Sequence, residues 1–172
     1  RLDSLRSAAE FRERTSDGGG ADAEQFLSGL NATLTLKVSR EQNPRAFELI
    51  NKTNQFNLNG ERYTEAAWQS LLDAPNGFVV TVVYADKFGR LGTIAIVTGT
   101  VDGGEIQIDR WVMSCRAFAR RIEHATLRFL FDEFGVDSAV LAYRPTERNG
   151  PTRDFLGAVV ALPDSAAQVR VT

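Results

Sequence analysis

With 172 residues, 43% of them hydrophobic and 24% charged, the chain has the composition of one globular domain and not of a disordered segment. A net charge of −2 and a pI of about 5.5 argue against a nucleic-acid groove or a surface for anionic membranes. One cysteine excludes an internal disulfide framework and suits a reducing cytoplasm, while one histidine leaves too few ligands for a structural zinc site. No apolar run reaches the ~18 residues of a membrane span. The chain opens on Arg1, with neither an initiating methionine nor the apolar core of a signal peptide, and reads as an excised or processed segment.

Arg1 to Arg14 reads as a short polar helix and Thr15 to Ala21 as a Gly-rich linker, with Asp22 capping a second short helix. Residues 1–30 are thus expected to connect, and residues 31–172 to form the domain. Leu34 to Val38 alternates apolar and polar residues as a half-buried strand does. Asn43-Pro44 opens a helix expected to run through Gln55, and Thr64 caps another that Pro75-Asn76-Gly77 ends. Phe78–Tyr84 and Leu91–Val97 form a hairpin, and Asp102-Gly103-Gly104 turns the chain into a third run, Glu105 to Val112. The spacing of Ile122, Leu127, Leu130 and Phe134 predicts a long helix from Ala119 to Phe134, stopped by Gly135. A short buried strand (138–143), a small helix (152–159) and a last strand (168–172) follow. This order predicts an α/β domain with a mixed sheet flanked by helices.

Three stretches carry candidate chemistry. Cys115 is followed by Arg116, Arg120 and Arg121 and precedes the long helix, a setting that favours a thiolate able to hold an acyl group as a thioester. It equally suits a small buried hydrophobe. The run Asn51 to Asn57 concentrates amides, hydroxyls and Lys52, which suits either a polar ligand pocket or a helix C-terminus with its loose carbonyls satisfied. Tyr143 to Asn149 follows a strand, where ligand loops gather in open sheets, or is an ordinary turn and helix cap.

The element order resembles the acyl-CoA N-acyltransferase fold of the GNAT acetyltransferases. Those enzymes bind the coenzyme A pyrophosphate at a loop of the form Arg/Gln-x-x-Gly-x-Gly/Ala ahead of a long helix. The equivalent stretch, Arg116-Ala-Phe-Ala119-Arg120-Arg121, fills both glycine positions, so coenzyme A is not expected as a cofactor.

The words Leu49-Ile-Asn-Lys-Thr-Asn-Gln-Phe-Asn-Leu58, Arg62-Tyr63, Ile108-Asp109-x-Trp111-x-Met113-Ser-Cys-Arg116 and Tyr143-x-Pro-Thr-x-x-Asn149 resemble the carboxy-terminal half of FkbH-like proteins of polyketide biosynthesis. That likeness implies a domain that helps load a glyceryl group from 1,3-bisphosphoglycerate onto an acyl carrier protein, whose phosphopantetheine is the acceptor. It implies Cys115 as the thioester nucleophile. Lys52, Asn54, Gln55 and Asn57 would hold the glycerate and its phosphate, with Arg62, Tyr143, Thr146 and Asn149 on the same polar surface. Arg116 and Arg120 would orient phosphate or the carrier's arm. A haloacid-dehalogenase-like phosphatase domain, fused or separate, is the implied partner, because no Asp-x-Asp nucleophile motif occurs in this chain. A noncatalytic carrier-docking domain and a conventional acyl-CoA N-acyltransferase remain the alternatives.

Overall fold

The computed structural model describes residues 28–172, so the connector expected over residues 1–30 falls outside it up to residue 27. Seven strands form one sheet in the order β1-β3-β4-β5-β6-β7, with β2 against β5. They are β1 (Thr33–Ser39), β2 (Phe56–Asn57), β3 (Gly77–Asp86), β4 (Gly89–Asp102), β5 (Glu105–Met113), β6 (Ala139–Tyr143) and β7 (Ala167–Val171). Among the described residues the sheet is accompanied by the helices α1 (Pro44–Lys52), α2 (Glu65–Asp73), α3 (Ile122–Phe134) and α4 (Gly150–Gly157). Among the described residues no helix is long and apolar enough to cross a membrane.

The strands alternate their side chains between two cores. Val80, Val82, Val97, Ile106 and Ile108 face Leu127 and Leu130 of α3 and Phe155 and Leu156 of α4. On the other face Val79, Ile96 and Val112 meet Ala46, Leu49 and Ile50 of α1 and Trp68, Leu71 and Leu72 of α2. Helix capping follows the sequence closely. The Asn43 side chain accepts from the Ala46 N–H at 3.0 Å, and the Thr64 hydroxyl accepts from the Ala67 N–H at 3.1 Å. Gly135 ends α3 in the left-handed conformation, with φ 62°.

Two helices differ from expectation for local reasons. Helix α1 stops at Lys52 rather than Gln55, because Thr53 turns its N–H and hydroxyl back onto the Leu49 carbonyl, at 3.1 and 2.8 Å. The released chain then becomes β2, which the polar composition of the run had hidden. Helix α3 begins at Ile122 and not at Ala119, because Ala119 and Arg121 take left-handed backbone angles, φ 66° and 53°.

One parallel contact shapes the functional end of the sheet. β5 and β6 pair in parallel only over Ile106–Ile108 and Ala139–Leu141. At Asp109 the β4–β5 register shifts, a bulge that bends β5 away from β6. Beyond the bulge β2 pairs with β5 through Phe56↔Met113 and Asn57↔Val112. The chain's own segment 56–59 therefore fills the gap that the two strands open.

Candidate functional site

The gap is closed by a lattice of asparagines. The Leu58 N–H donates to the Trp111 carbonyl at 2.9 Å, and the Leu58 carbonyl accepts from the Arg144 N–H at 3.2 Å. Asn59 donates from Nδ2 to the carbonyls of Asp109 and Ala142, both at 2.9 Å, and so joins β5 to β6. Asn57 accepts at Oδ1 from the N–H groups of Asn59 and Gly60 and donates from Nδ2 to the Thr53 carbonyl. Asn149 donates from Nδ2 to the carbonyls of Asn57 and Arg144, at 3.0 and 2.8 Å. Asn57 and Asn149 are each 1% exposed.

The structure places several of the sequence candidates inside the fold. Asn57 and Asn149 were expected to contact substrate, but their amides hold backbone together, because a gap between strands leaves polar groups that need partners. Tyr143 was expected on a polar surface; it lies on the core face of β6, 2% exposed, and burial raises its phenol pKa. Arg120 was expected to face phosphate; its side chain, 6% exposed, turns inward to Asp86 at 3.7 Å. It also donates to the Tyr84 hydroxyl at 3.2 Å and to the Arg116 carbonyl at 2.9 Å. Burial pushes the Tyr84 phenol up to about 12, and the Arg120 guanidinium beside it opposes that rise. Arg120 thus ties the 116–121 loop to the β3–β4 hairpin.

Cys115 opens a short 3-10 turn, Cys115–Ala117, well ahead of the α3 N-terminus where the sequence put it. It is exposed, which removes the buried-hydrophobe reading. Its neighbours Ser114 and Arg116 line a cleft of about 370 Å³ with Arg45, Glu48, Leu49, Lys52 and Thr53 of the α1 region. Lys52 and Arg116, far apart in sequence, therefore meet there. Three cationic side chains stand against one carboxylate in this cleft. Glu48 bridges Lys52 at 2.9 Å and Arg45 at 2.6 Å, and these two cations hold its carboxyl below the usual range. Arg45 and Ser114 are cleft residues the sequence reading missed; only the packing of α1 against the end of β5 brings them in.

The remaining candidates lie in a second cleft of about 290 Å³, lined by Asn54, Asn57, Gly60, Arg62, Thr146, Glu147 and Arg148. The two polar words of the sequence do meet, but not with Lys52. Arg62 caps α1 by donating to the carbonyls of Ile50 and Thr53, at 3.2 and 2.8 Å, and it also bonds the Asn54 side chain. Thr146 accepts at its hydroxyl from the N–H groups of Arg148 and Asn149. Gln55 is exposed between α1 and β2.

The two left-handed residues of the 116–121 loop stand where the phosphate-loop pattern carries glycine. The backbone there takes the left-handed conformation that glycine adopts most readily, while the side chains are alanine and arginine. A left-handed L-residue costs roughly 1–2 kcal/mol, of which glycine's greater unfolded-state freedom returns part. Ala119→Gly is therefore expected to stabilise the chain by about 0.5–1 kcal/mol. A higher urea midpoint in equilibrium unfolding would show it; a lower midpoint would show that the alanine methyl group contributes more by packing than the turn costs.

No family model and no curated protein matches the sequence. Among solved structures the chain is similar to the ribosomal-protein-S18-alanine N-acetyltransferase of Escherichia coli, at 13% identity over 80% of this chain and 90% of that one, TM-score 0.52. It is also similar to Ard1 of Thermoplasma volcanium, at 16% identity over 82% and 96% of the two chains, TM-score 0.51. A third is a GNAT family acetyltransferase of Elizabethkingia anophelis solved with acetyl-CoA bound, at 9% identity over 82% and 96%, TM-score 0.52. At such identities the likeness is one of architecture. The chain has the fold of the GNAT acetyltransferases, a mixed α/β sheet with helices on both faces.

Proposed function

We propose that this domain loads an acyl group onto a carrier protein, with Cys115 as the intermediate acceptor. The observation that supports this reading is a cationic cleft lined by Arg45, Lys52 and Arg116, to which the two chain neighbours of the exposed Cys115, Ser114 and Arg116, both contribute. Cations at that place suit the phosphate of an activated acyl donor. The Cys115 thiolate attacks the acyl carbon of an acyl phosphate, the C–O bond to phosphate breaks, and phosphate leaves with the electron pair. The acyl group then passes from Cys115 Sγ to the thiol of a carrier's phosphopantetheine, and Cys115 regains its proton. The resemblance of the sequence words to FkbH-like proteins implies glyceryl as the acyl group, 1,3-bisphosphoglycerate as the donor and polyketide biosynthesis as the setting. A haloacid-dehalogenase-like phosphatase domain, fused or separate, supplies the phosphate hydrolysis.

The test is intact-protein mass spectrometry after incubation with 1,3-bisphosphoglycerate, with and without a separately made phosphatase domain. A glyceryl or phosphoglyceryl adduct is expected on the unaltered chain and its complete loss in Cys115→Ala. An adduct that survives in Cys115→Ala would move the acceptor elsewhere. No adduct, with carrier binding retained, would favour a docking domain.

The fold itself favours a second reading, a conventional acyl-CoA N-acyltransferase. Against it stand the side chains at both glycine positions of the loop and the segment 56–59 filling the gap between β5 and β6. Heat on titration with acetyl-CoA would support that reading.

A further inference from the structure

We infer that the two cationic clefts flanking the C-terminus of α1 act as one binding site for a small ligand that carries two phosphate groups on a short spacer. The first cleft sets Arg45, Lys52 and Arg116 against Glu48. The second sets Arg62 and Arg148 against Glu147. Each keeps an excess of positive charge in a chain whose net charge is −2.

Thr53 is the wall between them. It lines the first cleft, while its carbonyl accepts from Arg62 Nη1 at 2.8 Å and from Asn57 Nδ2 at 2.9 Å, both residues of the second cleft. Asn54, next in the chain, also lines the second cleft, and consecutive Cα atoms lie about 3.8 Å apart. The partition is therefore about one residue thick, and a spacer of a few bonds crosses it. The gap between β5 and β6 is filled by segment 56–59, so this ligand lies against the end of α1 instead.

A helix C-terminus ordinarily repels an anion, because its last carbonyls carry partial negative charge and lack partners within the helix. Here those carbonyls are taken up. Arg62 donates to the Ile50 and Thr53 carbonyls, the Thr53 hydroxyl and N–H donate to the Leu49 carbonyl, and Lys52 adds a cation to the last turn. The end of α1 that would oppose phosphate is thus a capped ridge between two cationic clefts. Guanidinium groups suit phosphate oxygens because their N–H forks match them in shape and charge. When one cleft holds the first phosphate, the second phosphate of the same molecule binds intramolecularly, so the affinity exceeds that of either group alone.

That the two groups are the phosphates of the acyl donor rests on the acyl-transfer reading; the binding across two clefts does not. The test titrates the full chain, isotope-labelled, with propane-1,3-diyl bisphosphate and separately with propyl phosphate, following amide shifts. The bisphosphate is expected to bind at least tenfold more tightly, with shifts at Thr53, Asn54, Arg116 and Arg148. Arg116→Gln and Arg148→Gln are each expected to remove most of that advantage. Arg128→Gln removes the same charge from an 85% exposed side chain of α3, on the opposite face of the sheet, and is expected to leave it intact. Equal affinity for the two probes, or an advantage that persists in both Arg116→Gln and Arg148→Gln, overturns the inference. Bisphosphate binding across both clefts with no adduct on Cys115 would remove the acyl-transfer reading alone. An adduct on Cys115 without the bisphosphate advantage would remove this inference alone.

Discussion

Gly99→Ala is expected to destabilise the domain by roughly 3–5 kcal/mol, enough to leave a marginally stable chain largely unfolded. A Cβ at this position would sit 1.9 Å from the Gln107 carbonyl oxygen, 2.9 Å from its carbon and 3.0 Å from the Phe78 ring. The first two are backbone atoms of the facing strand, so no side-chain rotation relieves the clash and β4 must move away from β5. Gly99 lies at the register shift opposite the Asp109 bulge. Glycine is needed there because the bulge pulls the two backbones together. Equilibrium denaturation is the measurement: the midpoint should fall steeply. Gly150→Ala serves as the comparison, since a Cβ there meets nothing within 4 Å and should shift stability by no more than about 0.5 kcal/mol. Equal effects of the two substitutions would refute the close-approach account.

Asn59→Leu is expected to cost about 3 kcal/mol and to loosen the divergent end of the sheet. The side chain is 4% exposed, donates to the carbonyls of Asp109 and Ala142 and accepts from the Glu61 N–H at 3.1 Å. Leucine has similar bulk but leaves these three backbone groups without partners, each worth roughly 1–3 kcal/mol when buried. Their neighbourhood is partly open to water through Glu61, which keeps the sum below the simple total. Hydrogen exchange should rise first at Leu58 and Arg144, whose N–H groups close the same gap. Unchanged exchange at those two amides would show that β2 is held by packing of Phe56 and Leu58 alone.

The two substitutions bear on one feature. The bulge opens the sheet and the asparagines close it again with the chain's own backbone. Any ligand of this domain meets a sheet whose widest gap is already occupied.

Several of these features were legible in the residues and others were not. Period-two runs marked β3, β4 and β5, the caps Asn43 and Thr64 marked two helices, and Gly135 marked the end of a third. Each of those signals is local: a cap bonds a backbone group three residues away, and alternation follows from the pleat of a single strand. The role of the asparagines was not legible. A buried Asn that bonds the carbonyls of Asp109 and Ala142 and a surface Asn that bonds a ligand have the same side chain and the same neighbours in sequence. The start of α3 was misjudged because the amphipathic spacing reaches back to Ala119 while the left-handed angles at Ala119 and Arg121 are a property of the loop's path.

By itself the sequence determined the order of the elements other than β2, the mixed α/β architecture and the place of Cys115 between the third long run and the long helix, because hydrophobic periodicity and capping act over a few residues. The tertiary structure alone decided that Lys52 and Arg116 line one cleft, that Arg120 and Tyr143 turn inward, and that segment 56–59 fills the gap between β5 and β6. Those outcomes depend on groups between four and about ninety residues apart competing for the same buried donors and acceptors. Only the folded chain resolves that competition.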